Sequence, residues 1–97
     1  MLVKEKGFIR VLKDEEYGTS KNGNGFTTRE LVVEAKDGDY MTSLHFRAFG
    51  RSVEDLKNLH QGDEVEVTYK PQSHEYNGRW YDELRLFGVV SLKKETP

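Results

Sequence analysis

Apolar and polar residues alternate along most of this chain, and the alternation breaks once, after Gly50. A period of two sends successive side chains to opposite faces of an extended backbone, so each alternating run predicts a strand buried on one side. In residues 7–12, GFIRVL, Ile9 and Val11 point one way while Phe8, Arg10 and Leu12 point the other. Residues 26–36 carry Leu31, Val33 and Ala35 on one face. Residues 40–49 bury Leu44, Phe46 and Ala48 and leave Ser43, His45, Arg47 and Phe49 on the opposite side. Between the first two runs, residues 14–25 hold turn formers and no periodic apolar residue, which predicts a mobile loop. Residues 36–39, KDGD, form a second turn signal.

After Gly50 the spacing becomes helical, with Val53, Leu56 and Leu59 on one side. Ser52 suits an N-cap, Glu54 and Asp55 follow near the positive end of the dipole, and Gly62 suits a stop. A helix of about two turns is expected, stable only when docked. Alternation then resumes in residues 63–70, with Val65, Val67 and Tyr69 in phase. Asn77-Gly78 predicts a two-residue hairpin, because both central positions of that turn need positive φ. It leads into a fifth strand over residues 79–92, where Leu84, Leu86 and Val90 share a face. Three strands, a short helix and two strands is the order of the OB-fold, an all-β Greek-key barrel of five strands whose helix lies between strands three and four. Gly7 and Gly88 suit the bulges that such a curved sheet needs. An SH3-like barrel would not place a helix at that point.

With 97 residues there is room for a single domain, expected over 1–92, with KKETP at 93–97 as a polar tail. Only 35% of residues are hydrophobic and 33% are charged, which implies a thin core and leaves room for stabilisation by self-association. No cysteine is present, so thiolate metal sites and disulfides are excluded. No apolar run approaches a membrane span, and the chain reads as cytoplasmic. The net charge of −2 argues against binding that rests on phosphate neutralisation alone. His45, His60 and His74 lie in different elements without ligand spacing, so no metal site is expected. Glu64, Glu66, Glu75, Asp82 and Glu83 read as solvated strand faces, and no Ser/His/Asp set sits on an elbow. Gly23-Asn24-Gly25 lacks the Lys-Ser or Lys-Thr of a phosphate loop. Neither catalysis nor a cofactor is expected.

Several stretches resemble the bacterial single-stranded DNA-binding proteins. These are Phe49-Gly50-Arg51, the helix of Val53 to Leu59, Gly62-Asp63, Val65 and Val67, and the run from Tyr76 to Tyr81, with Gly7-Phe8-Ile9 in the first strand. The ending Gly78-Arg79-Trp80-Tyr81 is closer still to short bacterial and phage OB domains with no assigned function. The resemblance implies an OB-fold that binds single strands, a setting in DNA replication or repair, and a homo-oligomer, dimer or tetramer. It also implies stacking positions at Phe49 and Tyr76. Two features depart from it. Ser43 stands where those proteins usually carry a tryptophan, and the chain stops at SLKKETP with no long tail and acidic tip, so it is expected to coat single strands without that recruiting handle.

Binding single strands without sequence preference needs aromatic faces for the bases and cations along the backbone path. The arm around Asn77-Gly78 supplies both. Across a two-residue turn, Tyr76 opposes Arg79, Glu75 opposes Trp80 and His74 opposes Tyr81, so His74, Tyr76, Arg79 and Tyr81 share a face and Glu75 and Trp80 take the other. Trp80 has the parity of Leu84 and Leu86 and fits equally a base contact or a plug at the barrel end. On strand three, Arg47 and Phe49 face away from the core, and Arg51 follows them. The first loop adds Tyr17 and Lys21 above an acidic base of Asp14, Glu15 and Glu16. The expected contacts are thus Tyr17, Lys21, Arg47, Phe49, Arg51, His74, Tyr76, Arg79, Trp80 and Tyr81. The partner is single-stranded DNA, with RNA also open. The competing reading is an assembly module that uses the same barrel without nucleic acid, with the rings packed on a second subunit.

Overall fold

The points at which the alternating runs bend decide the architecture. A computed structural model describes residues 1–92, and the tail expected at 93–97 lies outside the described residues. Seven elements follow one another: β1 (Val3–Leu12), β2 (Glu16–Thr19), β3 (Gly25–Asp37), β4 (Tyr40–Phe49), α1 (Arg51–Glu54), β5 (Glu64–Tyr76) and β6 (Arg79–Ser91). β1 is shared between two neighbours, antiparallel to β5 over residues 3–8 and to β3 over residues 7–12. Gly7 sits at the crossover, where a Cβ would fall on the Glu34 carbonyl oxygen and the Val33 side chain. The strands run in the order β1-β5-β6-β4-β3-β2, and the β1–β3 pairing returns the series on itself. Five strands therefore form a ring, with β2 lying outside it along the start of β3. The ring closes through a parallel pairing, Phe46↔Leu84, Arg47↔Arg85 and Ala48↔Leu86, the one parallel pair among the described residues.

Inward positions of every ring strand meet in one cluster. Ile9, Leu31, Val33, Phe46, Ala48, Val65, Val67, Tyr69 and Leu86 are buried there, with the Phe46 and Tyr69 rings 4.8 Å apart. Val53, Leu56 and Leu59 complete the cluster from the connection between β4 and β5. Each large apolar side chain so buried contributes roughly 1.5–3 kcal/mol relative to exposure.

Four local expectations are corrected. Residues 14–25 are not all loop, because Glu16–Thr19 pair with Gly25–Thr28 as β2. The helix is a single α-turn followed by tighter i→i−3 bonds, from Leu56 to Val53, Lys57 to Glu54 and Leu59 to Leu56. Ser52 is not its N-cap. Gly50, at φ 53°, holds that position, and the Ser52 hydroxyl bonds back to the N–H and C=O of Phe49. Finally, two bulges reverse the parity of strand ends. One falls between Ile9 and Val11, so Leu12 packs on the core and Val11 is exposed; the other falls opposite Thr68 and Tyr69, so Val89 turns inward and Val90 is 62% exposed. An extra residue on one side of a ladder shifts every later side chain to the other face.

Candidate nucleic-acid interface

The β5–β6 arm has the expected register. Tyr76↔Arg79, Glu75↔Trp80 and His74↔Tyr81 pair across Asn77 (φ 51°) and Gly78 (φ 80°). Ser73 and Gln72 of β5 donate to Asp82 (2.6 Å) and Glu83 (3.0 Å) of β6, which ties the two strands along the arm. No third strand pairs with the arm beyond Leu84 among the described residues, so its rings stand in solvent. Tyr76 and Trp80 are each 67% exposed and Tyr81 45%, and the His74 and Tyr81 rings stack at 5.6 Å. Trp80 therefore does not plug the barrel.

The outward side of β4 presents Ser43, His45, Arg47 and Phe49 in succession. Because β4 and β6 run parallel with Arg47 beside Arg85, a second outward row, Arg85 and Phe87, comes alongside. The Arg85 guanidinium lies 4.9 Å from the Phe49 ring centre and 5.8 Å from that of Phe87, and Arg47 lies 5.9 Å from Phe49. These are cation–π distances. Phe49 is half-buried and still forms part of the surface.

Two hollows meet at Arg47. One, of about 540 Å³, lies between β4 and the arm and includes His45, His74, Tyr81 and Glu83 in its lining. The other, of about 450 Å³, is lined by Tyr17, Phe26, Thr28 and Phe49. The far end of the Phe26 ring lies over Gly18 on β2, where any Cβ would strike it. Of the sequence-derived set, Tyr17, Arg47 and Phe49 thus share one hollow, and Arg47, His74 and Tyr81 share the other. Tyr76, Arg79 and Trp80 occupy the arm tip, while Lys21, in the turn after β2, and Arg51, at the start of α1, line neither hollow.

Arg85, Phe87 and Phe26 are absent from the sequence-derived set. The alternation around Leu84 and Leu86 already marks Arg85 and Phe87 as outward. Their nearness to Arg47 comes from a long-range parallel register that no local pattern encodes.

Glu30, Glu34 and Glu15 are each engaged by neighbours. Burial pushes the Glu30 carboxyl up, but Lys13 (3.5 Å) and the hydrogen bond with His45 (2.9 Å) together outweigh it and hold Glu30 below its ordinary value. Hydrogen bonds from Ser43 and Arg10 hold Glu34 low in the same way. Tyr17 donates to Glu15 at 3.0 Å, and that bond raises the phenol. By contrast, Lys21, Arg47, Arg51, Arg79 and Arg85 form no ion pair among the described residues.

The family model for a "Domain of unknown function (DUF3127)" matches residues 5–90. The chain belongs to that family. No curated protein matches it. Among solved structures, this family member is similar to the second OB-fold domain of replication protein A from Methanococcus maripaludis, with a TM-score of 0.71, 14% identity, and coverage of 100% of this chain and 89% of that one. It is similar to the mitochondrial single-stranded DNA binding protein Rim1 from S. cerevisiae, with a TM-score of 0.68, 14% identity and 98% of both chains covered. The dimeric N-terminal domain of PriB from Thermoanaerobacter tencongensis also matches, at a TM-score of 0.60 and 18% identity, covering 96% of this chain and 97% of that one. At such identities the likeness speaks for the fold. The chain is an OB-fold, as its element order implied, with β2 added to the five strands of the ring.

Proposed function

We propose that this protein binds single-stranded nucleic acid, DNA in the first place, across the outward face of β4 and β6 and along the arm, without catalysing a reaction. The observation that carries the reading is the cluster in which Arg47 and Arg85, free of ion pairs among the described residues, lie against Phe49 and Phe87. Guanidinium groups held on aromatic faces suit a ligand that alternates phosphates and bases. Phe49, Tyr81 and Tyr17 offer stacking surfaces along the two hollows, with His74 beside Tyr81. Tyr76 and Trp80 offer them at the arm tip, and Arg79, Arg51 and Lys21 add cations at the edges. The net charge of −2 ceases to be an objection where Glu30 and Glu34 are matched by Lys13, His45 and Arg10. The names of the similar structures, which include single-stranded DNA binding proteins, support the same reading. Assembly as a homodimer or larger homo-oligomer belongs to it, in line with the dimeric PriB domain.

Trp80 reports on the arm directly. Titration with a short mixed-sequence oligonucleotide at low salt is expected to quench its fluorescence and to retard the oligonucleotide in a gel. Absence of both effects rejects the proposal and favours an assembly module that uses these rings against protein.

A further inference from the structure

Charge is divided unevenly across the proposed face. At the β4–β6 contact, Arg47 and Arg85 stand side by side among rings. The groove between β4 and the arm is different: Glu30, Asp82 and Glu83 line it against Arg47 as its one guanidinium, and the stacked His74 and Tyr81 rings form an aromatic wall. A phosphate entering that groove would meet three carboxylates. A base would meet a ring surface and hydrogen-bond acceptors. Acceptor capacity remains there, because Glu83 takes the Gln72 amide on Oε2 and Asp82 takes the Ser73 hydroxyl on Oδ1, and neither second oxygen has a hydrogen bond among the described residues.

We propose that this groove receives a base by an edge bearing an exocyclic amino group, so that the protein prefers strands containing cytosine, adenine or guanine over thymine-rich ones. The inference rests on the single-strand reading above and adds a base preference to it. Cytosine and thymine are the sharpest comparison. Their rings are the same size, yet cytosine presents an N4 amino donor where thymine presents the O4 acceptor. A carboxylate wall attracts the first and repels the second, while the sugar–phosphate backbone keeps to the Arg47–Arg85 side.

The test measures oligo-dC and oligo-dT of equal length at neutral pH and one ionic strength, by fluorescence anisotropy of labelled strands. Oligo-dC is expected to bind about tenfold more tightly, the scale of one base-edge discrimination. Glu83→Gln and Asp82→Asn, checked for native circular dichroism, should each narrow the ratio, mainly by strengthening oligo-dT, since an amide can donate to O4. Two variants guard against one failing to fold. Equal or tighter binding of oligo-dT by the native protein overturns the base preference and leaves single-strand binding intact. An unchanged ratio in both variants overturns the assignment to this groove. Failure of both oligonucleotides to bind overturns the preference together with the function on which it rests.

Discussion

Tyr76 and Phe46 are both aromatic residues on strands, and the protein treats them in opposite ways. Phe46 is wholly buried against Tyr69, whereas Tyr76 stands 67% exposed beside the turn of the arm. Tyr76→Ala is therefore expected to weaken oligonucleotide binding by about 1–3 kcal/mol while leaving the melting temperature nearly unchanged. A large fall in melting temperature would show that the ring is structural. Arg47 joins both hollows and has no ion pair among the described residues, so Arg47→Ala should lower the slope of log affinity against log salt by about one contact. A constant slope would remove Arg47 from the phosphate path. At this scale much was legible from sequence. Positive φ at Asn77 and Gly78 fixes the pairing of every arm residue, and that requirement is local. Arg85 was less legible as a site residue, since its value comes from lying next to Arg47, 38 positions earlier in the chain.

Among the elements, β1 has the most demanding task, because it serves two neighbours and must bend between them. The bend leaves Gly7 pressed against the backbone of β3. Gly7→Ala is expected to destabilise the fold by about 1–3 kcal/mol, the range for overpacking, because a backbone carbonyl yields less readily than a side chain. Urea unfolding would measure it, and an unchanged midpoint would mean that β1 and β3 can separate without cost. The strand interiors and the hairpin were readable from alternation and turn chemistry. β2 was not, since Glu16–Thr19 has no periodic apolar residue and exists by pairing with β3 while Phe26 covers Gly18. The reversed ends of β1 and β6 escaped for a related reason: a bulge leaves no mark in the hydrophobic pattern until the register of the partner is known. The helix is short at its far end, where the bonds beyond Glu54 run i→i−3, while the Ser52 hydroxyl bonds to Phe49 at the end of β4 and leaves the N-cap position to Gly50.

At the scale of the molecule, an acidic chain matches Glu30 and Glu34 internally and leaves Arg47 and Arg85 without an ion pair among the described residues. Both carboxyls are held below their ordinary value of 4.5, so each favours the folded state at neutral pH. For groups depressed by folding, that contribution is present above the unfolded value and disappears as pH falls through the lower, folded one. Thermal melts taken from neutral pH down to about pH 3 should show the midpoint falling on the acid side of the usual carboxylate range, and the fall should be shallower in Glu34→Gln. A variant as acid-sensitive as the native protein would place the effect elsewhere. The ring itself has one short join, the three-pair contact of Phe46–Ala48 with Leu84–Leu86. Arg47 and Arg85 stand at the middle of that join, one from each side. A polymer lying over both would work as a clasp, so the same occupancy that shelters the strand would also brace the barrel at its narrowest weld.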